Sequence, residues 1–243
     1  MKATTLAIIL TFTCIPAFLQ SNLSGHLAEE NLKNLQGLGS NMIHTFNNAY
    51  QGIKGTPYLY EKCTRGIIIN NDSILYSNEL MNYDCYNDAI LVKKSVEGDY
   101  YVVKKSEINS FLLKKEDNDN YIEFRKKQFV KYNKEYTGFV QVLYDGGVKL
   151  YVYRKKDIKK ADYQGGYSAK RPYDEFIEGH YYFIEISDTA LQPVKRNKKS
   201  VISAFPVYNE ELKLFAKNKK LNFKDENDVI KICEYYDSLI EGF

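Results

Sequence analysis

Residues 81–91, MNYDCYNDAIL, bring two carboxylates, a thiol and two phenols into eleven positions. Asp84 and Asp88 are the carboxylates, and acid–base or glycosidic chemistry needs such a pair at a fixed separation across a substrate. Asn87 and Asp88, however, directly precede an apolar run, and Asn and Asp at such positions stabilise turns by bonding to nearby backbone. The sequence therefore favours a turn between two strands over a reaction centre.

The cysteines and histidines form no recognisable catalytic motif. A nucleophilic thiol needs a neighbouring base, and none of the three histidines stands in a supporting pattern. Cys63 and Cys85 fall in the same β-rich segment, so they are the pair to test for a disulfide or a redox role. Cys233 lies in an apolar helical pattern and is predicted to be a buried free thiol.

Metal and cofactor motifs are also missing from the sequence. The segment Asp117–Asn120 resembles the start of a calcium loop, but Tyr121 and Ile122 occupy the third ligand position and the glycine position. No Cys or His spacing suits zinc, and there is no glycine-rich phosphate loop. We therefore predict no metal and no cofactor, and we assign no catalytic residue.

Residues 1–21 predict export. One lysine is followed by an apolar run over residues 6–19 and then by small or polar residues, which is the layout of a secretory signal peptide. The run is shorter than the roughly 20 apolar residues that a membrane-spanning helix needs. No later stretch predicts a transmembrane span, so we expect none after removal of the signal.

The elements expected to position these side chains fall into three segments. Residues 22–54 carry leucines at three- and four-residue intervals, which predicts an N-terminal helical segment that ends near Gly52, Gly55 and Pro57. Residues 55–190 predict an antiparallel β-rich domain, because short β-branched and aromatic runs alternate with turn residues. Residues 191–243 predict a C-terminal helical segment, packed on the sheet or forming a small separate domain.

Several details sharpen this assignment. Asp145-Gly146-Gly147 separates two strand patterns and predicts a hairpin in which the glycines supply positive φ angles. Helices are expected over 198–205, 209–219 and 225–240, the first capped by Asn197. The predicted fold class is α+β: a predominantly antiparallel β body of meander and hairpins, with an N-terminal helix and a C-terminal helical segment.

The composition limits the choice of partner. The net charge is +3, with 27% charged residues, so no strong field requires an acidic partner, and nucleic acid is not expected. The 22 tyrosines, with no tryptophan, suit half-buried sheet faces. Lysine runs at strand ends protect exposed edges from aggregation. The same lysines could bind an anionic partner, so an envelope protein or an anionic glycan stays open as a partner.

One segment without clear periodicity interrupts the strand pattern at residues 161–179. Irregular segments on a rigid scaffold often carry binding residues. We therefore predict that a binding surface in this segment includes Tyr163, Tyr167, Arg171 and Tyr173.

Short motifs also suggest a relationship. They are Gly55–Leu59, Tyr83–Asp88, Asn197–Lys199, Phe215–Leu221 and Tyr235–Leu239. In this order they resemble a family of exported Bacteroidota proteins of unknown function. The resemblance implies a periplasmic or outer-envelope location and brings no activity or catalytic residue with it.

Two functions are compatible with the sequence. The favoured one is an exported, non-enzymatic, β-rich binding or structural protein of the bacterial cell envelope. The alternative is a hydrolase acting on envelope glycan or peptidoglycan, with Asp, Glu or His residues brought together in space. Asp88 and His180 are the residues to substitute first in testing the hydrolase.

Overall fold

A computed structural model of the chain describes residues 50–93, 100–162, 172–187 and 189–241. Ten strands in these ranges form one antiparallel sheet, in the order β10-β9-β8-β7-β6-β5-β1-β2-β3-β4. The strands are β1 (Thr64–Asn70), β2 (Leu75–Asp84), β3 (Ala89–Lys93), β4 (Tyr100–Val103), β5 (Ile108–Lys114), β6 (Tyr121–Lys131), β7 (Lys134–Asp145), β8 (Val148–Lys159), β9 (Glu175–Ile186) and β10 (Gln192–Val194).

Three helices follow the sheet: α1 (Lys198–Ile202), α2 (Asn209–Asn218) and α3 (Glu226–Glu241). They lie close to the predicted positions, and the side chain of Asn197 caps α1 by accepting a hydrogen bond from the Ser200 amide at 2.9 Å. In the part of the chain that the structure describes, no helix is both long and apolar enough to cross a membrane.

The predicted fold class, α+β with an N-terminal helix, is wrong. The described residues form a predominantly β structure with three short helices near its end. Most of the helix predicted over 22–54 lies outside the described residues, and its described end is a turn followed by a bridge from Lys54 to Glu175. Gly52 and Gly55 there take φ angles of +84° and +85°, which a right-handed helix does not accommodate.

The predicted turn after β2 is confirmed, since β2 ends at Asp84 and β3 begins at Ala89. The predicted hairpin between β7 and β8 is also confirmed, but the reason given for its glycines is wrong. Neither Gly146 nor Gly147 has a positive φ angle. A Cβ atom on Gly146 would instead lie 2.3 Å from Oδ2 of Asp237 in α3, so a side chain there would displace the Asp237 carboxylate.

The first half of the sheet curls around an aromatic core. Tyr83 in β2 and Phe124 in β6 have ring centroids only 5.1 Å apart, although three strand spacings of about 4.8 Å separate their strands. Phe111 in β5 stacks on Phe124 at 4.7 Å, and all three rings are fully buried. The sheet therefore bends strongly enough for β2 to face β6 across a shared core.

The second half of the sheet is buried on both faces. On one face, Val148, Leu150 and Val152 of β8 pack with the apolar sides of α2 and α3. On the opposite face, Tyr151 and Tyr153 of β8 join a separate cluster with Phe129, Val140, Phe183 and Leu191. The helices cover the first face, and the second is covered because β6 curls back towards β9, which places the Phe129 and Phe183 rings 4.9 Å apart.

Glu79 in β2 is a buried carboxyl group with an unsatisfied oxygen. Its relative exposure is 4%, and Oε1 has no hydrogen-bond partner among the residues that the structure describes. Burial raises the pKa of Glu79 to about 7, and the positive charge of Arg65 offsets this only in part. The folded protein therefore binds a proton at Glu79 more strongly than the unfolded chain does.

This raised pKa makes stability depend on pH. The stabilisation linked to Glu79 is fully present below the unfolded pKa of 4.5 and is lost as the pH rises through the folded pKa of about 7. Since glutamine stays neutral, Glu79→Gln should be more stable than wild type at pH 8 by about 1–2 kcal/mol, with little difference at pH 4.5. Urea unfolding at both pH values measures this, with the exposed Glu61→Gln as control. An equal effect of Glu79→Gln at both pH values would contradict the assignment.

Candidate functional site

A groove of about 820 Å³ runs beside β9, and we call it the β9 groove. Three parts of the chain line it: the turn between β6 and β7, the middle of β9, and β10 with the residues that follow it. These parts are distant in sequence. They meet because the second half of the sheet curls, which brings the β6–β7 turn over β9.

The β6–β7 turn is built from two residues in left-handed conformation. Tyr132 and Asn133 have φ angles of +50° and +58°, as a two-residue hairpin turn requires. Asparagine adopts this conformation readily, whereas a bulky residue such as tyrosine rarely does. The turn leaves Tyr132 76% exposed, and its hydroxyl lies 3.2 Å from that of Tyr181 in β9.

A cation lies among these aromatic rings. Nζ of Lys131 is 3.7 Å from the ring centroid of Tyr181 and 5.3 Å from that of Tyr132. Such contacts between an ammonium group and a ring contribute about 0.5–1 kcal/mol at exposed sites. They hold the lysine side chain against the rings of the groove that it lines.

The opposite wall is also basic. The guanidinium of Arg196 lies 4.8 Å from the ring centroid of Tyr182 and donates a hydrogen bond to the Lys224 carbonyl at 2.6 Å. Lysines 131 and 195 and Arg196 line the groove, and Glu178 is the one carboxylate among its lining residues. The groove therefore combines aromatic surface with an excess of positive charge.

A polar network holds the groove wall against α3. Arg154 in β8 forms two hydrogen bonds of 2.8 Å to the carboxylate of Glu226, in the first turn of α3. Tyr182 donates a hydrogen bond to the same carboxylate at 2.6 Å. Burial opposes the charge of Glu226, but the hydrogen bonds from Arg154 and Tyr182 lower its pKa below the ordinary value. Tyr182 is thereby fixed beneath Arg196.

His180 lines the same groove and pairs across the strands with Arg154. Burial lowers the pKa of His180, and the charge of Arg154 lowers it further. Its Nε2 is 3.3 Å from the carboxylate of Glu178. At neutral pH this histidine is a neutral imidazole, in which one ring nitrogen can donate a hydrogen bond and the other can accept one.

The predicted binding residues fall mostly outside the described part of the chain. Tyr163, Tyr167 and Arg171 lie there, so this prediction stays open. Tyr173 is 37% exposed and accepts a hydrogen bond from Nζ of Lys54 at 3.1 Å, but it does not line the β9 groove. The irregular segment expected up to residue 179 is in fact shorter, because β9 begins at Glu175.

The two carboxylates of residues 81–91 have structural roles. Asp84 is fully buried and accepts hydrogen bonds from the backbone amides of Tyr86 and Asn87, each at 2.9 Å. These bonds stabilise the turn that the sequence predicts.

Asp88 fixes the same turn to the sheet. Its carboxylate accepts hydrogen bonds from the Tyr83 hydroxyl at 2.6 Å and the Phe139 amide at 3.2 Å, and it forms an ion pair with Lys105. None of these groups is a partner of His180, whose neighbours are Glu178 and Arg154. The structure thus does not bring Asp84, Asp88 and His180 together.

The thiols likewise form no reactive pair. Cys63, Cys85 and Cys233 are all free, the first partly exposed and the other two buried. Burial raises the pKa of Cys85 to about 12, so this thiol stays protonated. Within the described ranges, no group of three or more His, Cys, Asp or Glu side chains is arranged to hold a metal ion.

No known protein family, curated protein or solved structure matches this chain. The resemblance to exported Bacteroidota proteins therefore stays a prediction. The β9 groove must be interpreted from its own geometry.

The Arg154–Glu226 pair should be needed to hold the wall of the groove. Glu226→Gln leaves a partly buried guanidinium without its counter-charge, so we expect it to lower the free energy of unfolding by about 2 kcal/mol. Denaturant unfolding measures the change. The control Glu210→Gln breaks an exposed pair and should change stability by less than about 0.5 kcal/mol. Equal effects of the two substitutions would remove the structural role assigned to Glu226.

Thiol accessibility should follow burial. In the native protein, a maleimide reagent should label Cys63 fastest, and Cys85 and Cys233 only after denaturation. Mass spectrometry of the intact, unreduced protein should show no mass change on reduction. A gain of two mass units on reduction, with Cys63 and Cys85 in one crosslinked peptide, would show a disulfide and disprove the assignment of free thiols.

Proposed function

We propose that this protein is an exported, non-enzymatic binding protein of the bacterial cell envelope that holds an extended, negatively charged chain in the β9 groove. The convergence of Lys131, Tyr132 and Tyr181 with Arg196 on one open groove carries the proposal. These residues come from three separate parts of the chain. Packing of the core alone gives no reason for a tyrosine that is 76% exposed and held in a left-handed turn.

The chemistry of the groove favours an anionic ligand. Lys131 and Lys195 are ammonium donors, and Arg196 offers a planar guanidinium that suits carboxylate, sulfate or phosphate groups. Tyr132 and Tyr181 supply flat apolar surface with hydroxyl groups at the edge. The volume of about 820 Å³ lies within the usual range for ligand sites.

Export supports the choice of compartment. The signal peptide predicted over residues 1–21 and the resemblance to exported proteins both favour the envelope. The hydrolase is the weaker interpretation, because the carboxylates of Asp84 and Asp88 bond to their own turn and to the neighbouring strands rather than to an open cleft.

The experiment compares immobilised dextran sulfate and poly-glutamate with neutral dextran. Wild-type protein should bind the two anionic polymers and not the neutral one, with affinity that falls as salt is raised. Reversing both flanking charges, with Lys131→Glu and Arg196→Glu, should weaken binding at least tenfold. The effect is expected because both cations line the same groove.

The matched control carries Lys217→Glu and Lys219→Glu at the exposed end of α2, with the same change in net charge. Its binding should fall by less than threefold. Failure of wild type to bind either anionic polymer, or equal losses in the two double variants, would overturn the proposed function. Circular dichroism confirms that each variant remains folded.

A further inference from the structure

The outer edge of β9 is occupied at both ends and open in the middle. At one end, the backbone of Lys54 forms a parallel bridge to β9. Its carbonyl accepts a hydrogen bond from the Phe176 amide at 2.9 Å, and its amide donates one to the Asp174 carbonyl at 2.8 Å. At the other end, β10 pairs with residues 182–184. Among the residues that the structure describes, no strand pairs with this edge over residues 177–181.

The open stretch presents main-chain groups to the groove. In a strand, the backbone groups of alternate residues point to the same edge. The bonds to Lys54 show that residues 174 and 176 point outwards, and the register with β10 continues this alternation through Tyr182. The N–H and C=O groups of Glu178 and His180 therefore point away from β8 and towards the groove that both residues line.

Gly179, in the middle of this stretch, leaves space on the aromatic side of the strand. A Cβ atom added there would meet nothing closer than 3.7 Å, and its φ angle is not left-handed. Neither packing within the described residues nor backbone conformation therefore requires glycine at this position. A glycine inside a strand often marks close approach by a ligand or another backbone.

We propose that the occupant of the β9 groove is an acidic, extended peptide segment of a partner protein, which adds as a short strand to the open edge of β9. The gap of five residues spans about 16 Å, enough for a segment of about five residues. The peptide backbone bonds to the outward groups of Glu178 and His180. An apolar side chain of the peptide fills the space beside Gly179 and Tyr181.

Charge determines which peptide fits. Lys131 and Arg196 lie on opposite faces of β9 at the Tyr181–Tyr182 end of the open stretch and attract acidic side chains there. Glu178, and Asp157 beside Gly179, repel acidic side chains towards the other end. An acidic glycan satisfies the same cations, but it lacks the repeating N–H and C=O groups that pair with a strand edge. This inference rests on the proposed function and specifies its ligand.

The test begins with a library of hexapeptides that carry Glu or Asp residues at one end, either the N-terminal or the C-terminal one, and apolar residues over the rest. The tightest binder is then resynthesised with N-methyl groups on alternate amides, which removes the hydrogen bonds and keeps the charges. N-methylation of the peptide amides that bond to the edge of β9 should weaken binding at least tenfold. N-methylation of the alternate amides, which point away from β9, should weaken it much less. The double variant with Lys131→Glu and Arg196→Glu should also bind at least tenfold more weakly.

Amide hydrogen exchange, followed by NMR, locates the bound strand. In the free protein the amides of Glu178 and His180 should exchange fast, whereas those of Gly179 and Tyr181, which point towards β8, should be protected. Bound peptide should slow exchange at Glu178 and His180 at least tenfold and leave the amides of β4, at the opposite edge of the sheet, unchanged.

Each other outcome is decisive. Binding of dextran sulfate without any peptide binder overturns strand addition and leaves the proposed function standing. The same conclusion follows if N-methylation does not weaken peptide binding, or if bound peptide does not slow amide exchange at Glu178 and His180. Protection of these amides at high protein concentration without peptide, together with a dimer in sedimentation analysis, identifies a second copy of this chain as the occupant and also overturns the proposal. Absence of binding to every anionic ligand overturns both the inference and the function beneath it.

Discussion

Burial of both faces of a single antiparallel sheet is the constraint on which the rest of this structure depends. Along β8, Leu150 and Val152 point to one face and Tyr151 and Tyr153 to the other, and all four are at most 7% exposed. A sheet of ten strands with apolar side chains on both faces cannot remain flat in water. The helices cover part of one face. The remaining faces are covered because the sheet curls on itself, and the β9 groove forms where that curl stays incomplete.

Polar side chains within the sheet serve this packing. Asp88 bonds to β2 and to β7, and Asp237 of α3 accepts hydrogen bonds from the Val148 amide and the Tyr144 hydroxyl, each at 2.9 Å. A buried amide or hydroxyl without a partner costs about 1–3 kcal/mol, so these carboxylates remove penalties that close packing would otherwise create. A cluster of chemically capable groups in a sequence is therefore weak evidence for catalysis when the groups sit at strand ends.

Local signals in the sequence predicted most elements. The Asn197 cap, the turn after Asp84 and the hairpin at Asp145 all depend on residues within a few positions of one another, and all three lie where the sequence places them. The β6–β7 turn was missed because Tyr132 and Asn133 lack the glycine that usually marks a two-residue turn.

The candidate site was beyond the reach of local pattern. Tyr132 and Tyr181 are 49 positions apart and meet through the curl of the sheet, which no period in the sequence encodes. The open edge of β9 also cannot be predicted from the sequence pattern, because it depends on the residue at which β10 stops pairing with β9. In the sequence, Gly179 interrupts the apolar alternation, so residues 175–179 do not show the pattern of the strand that they form.

The contact between the β7–β8 hairpin and α3 has a consequence for biosynthesis. Gly146 packs against Asp237, a residue that the ribosome adds ninety-one positions later. Until then the Val148 amide lacks its buried acceptor and the helix-side face of β8 lacks part of its cover. A growing chain thus remains incompletely folded in this region until α3 has been made.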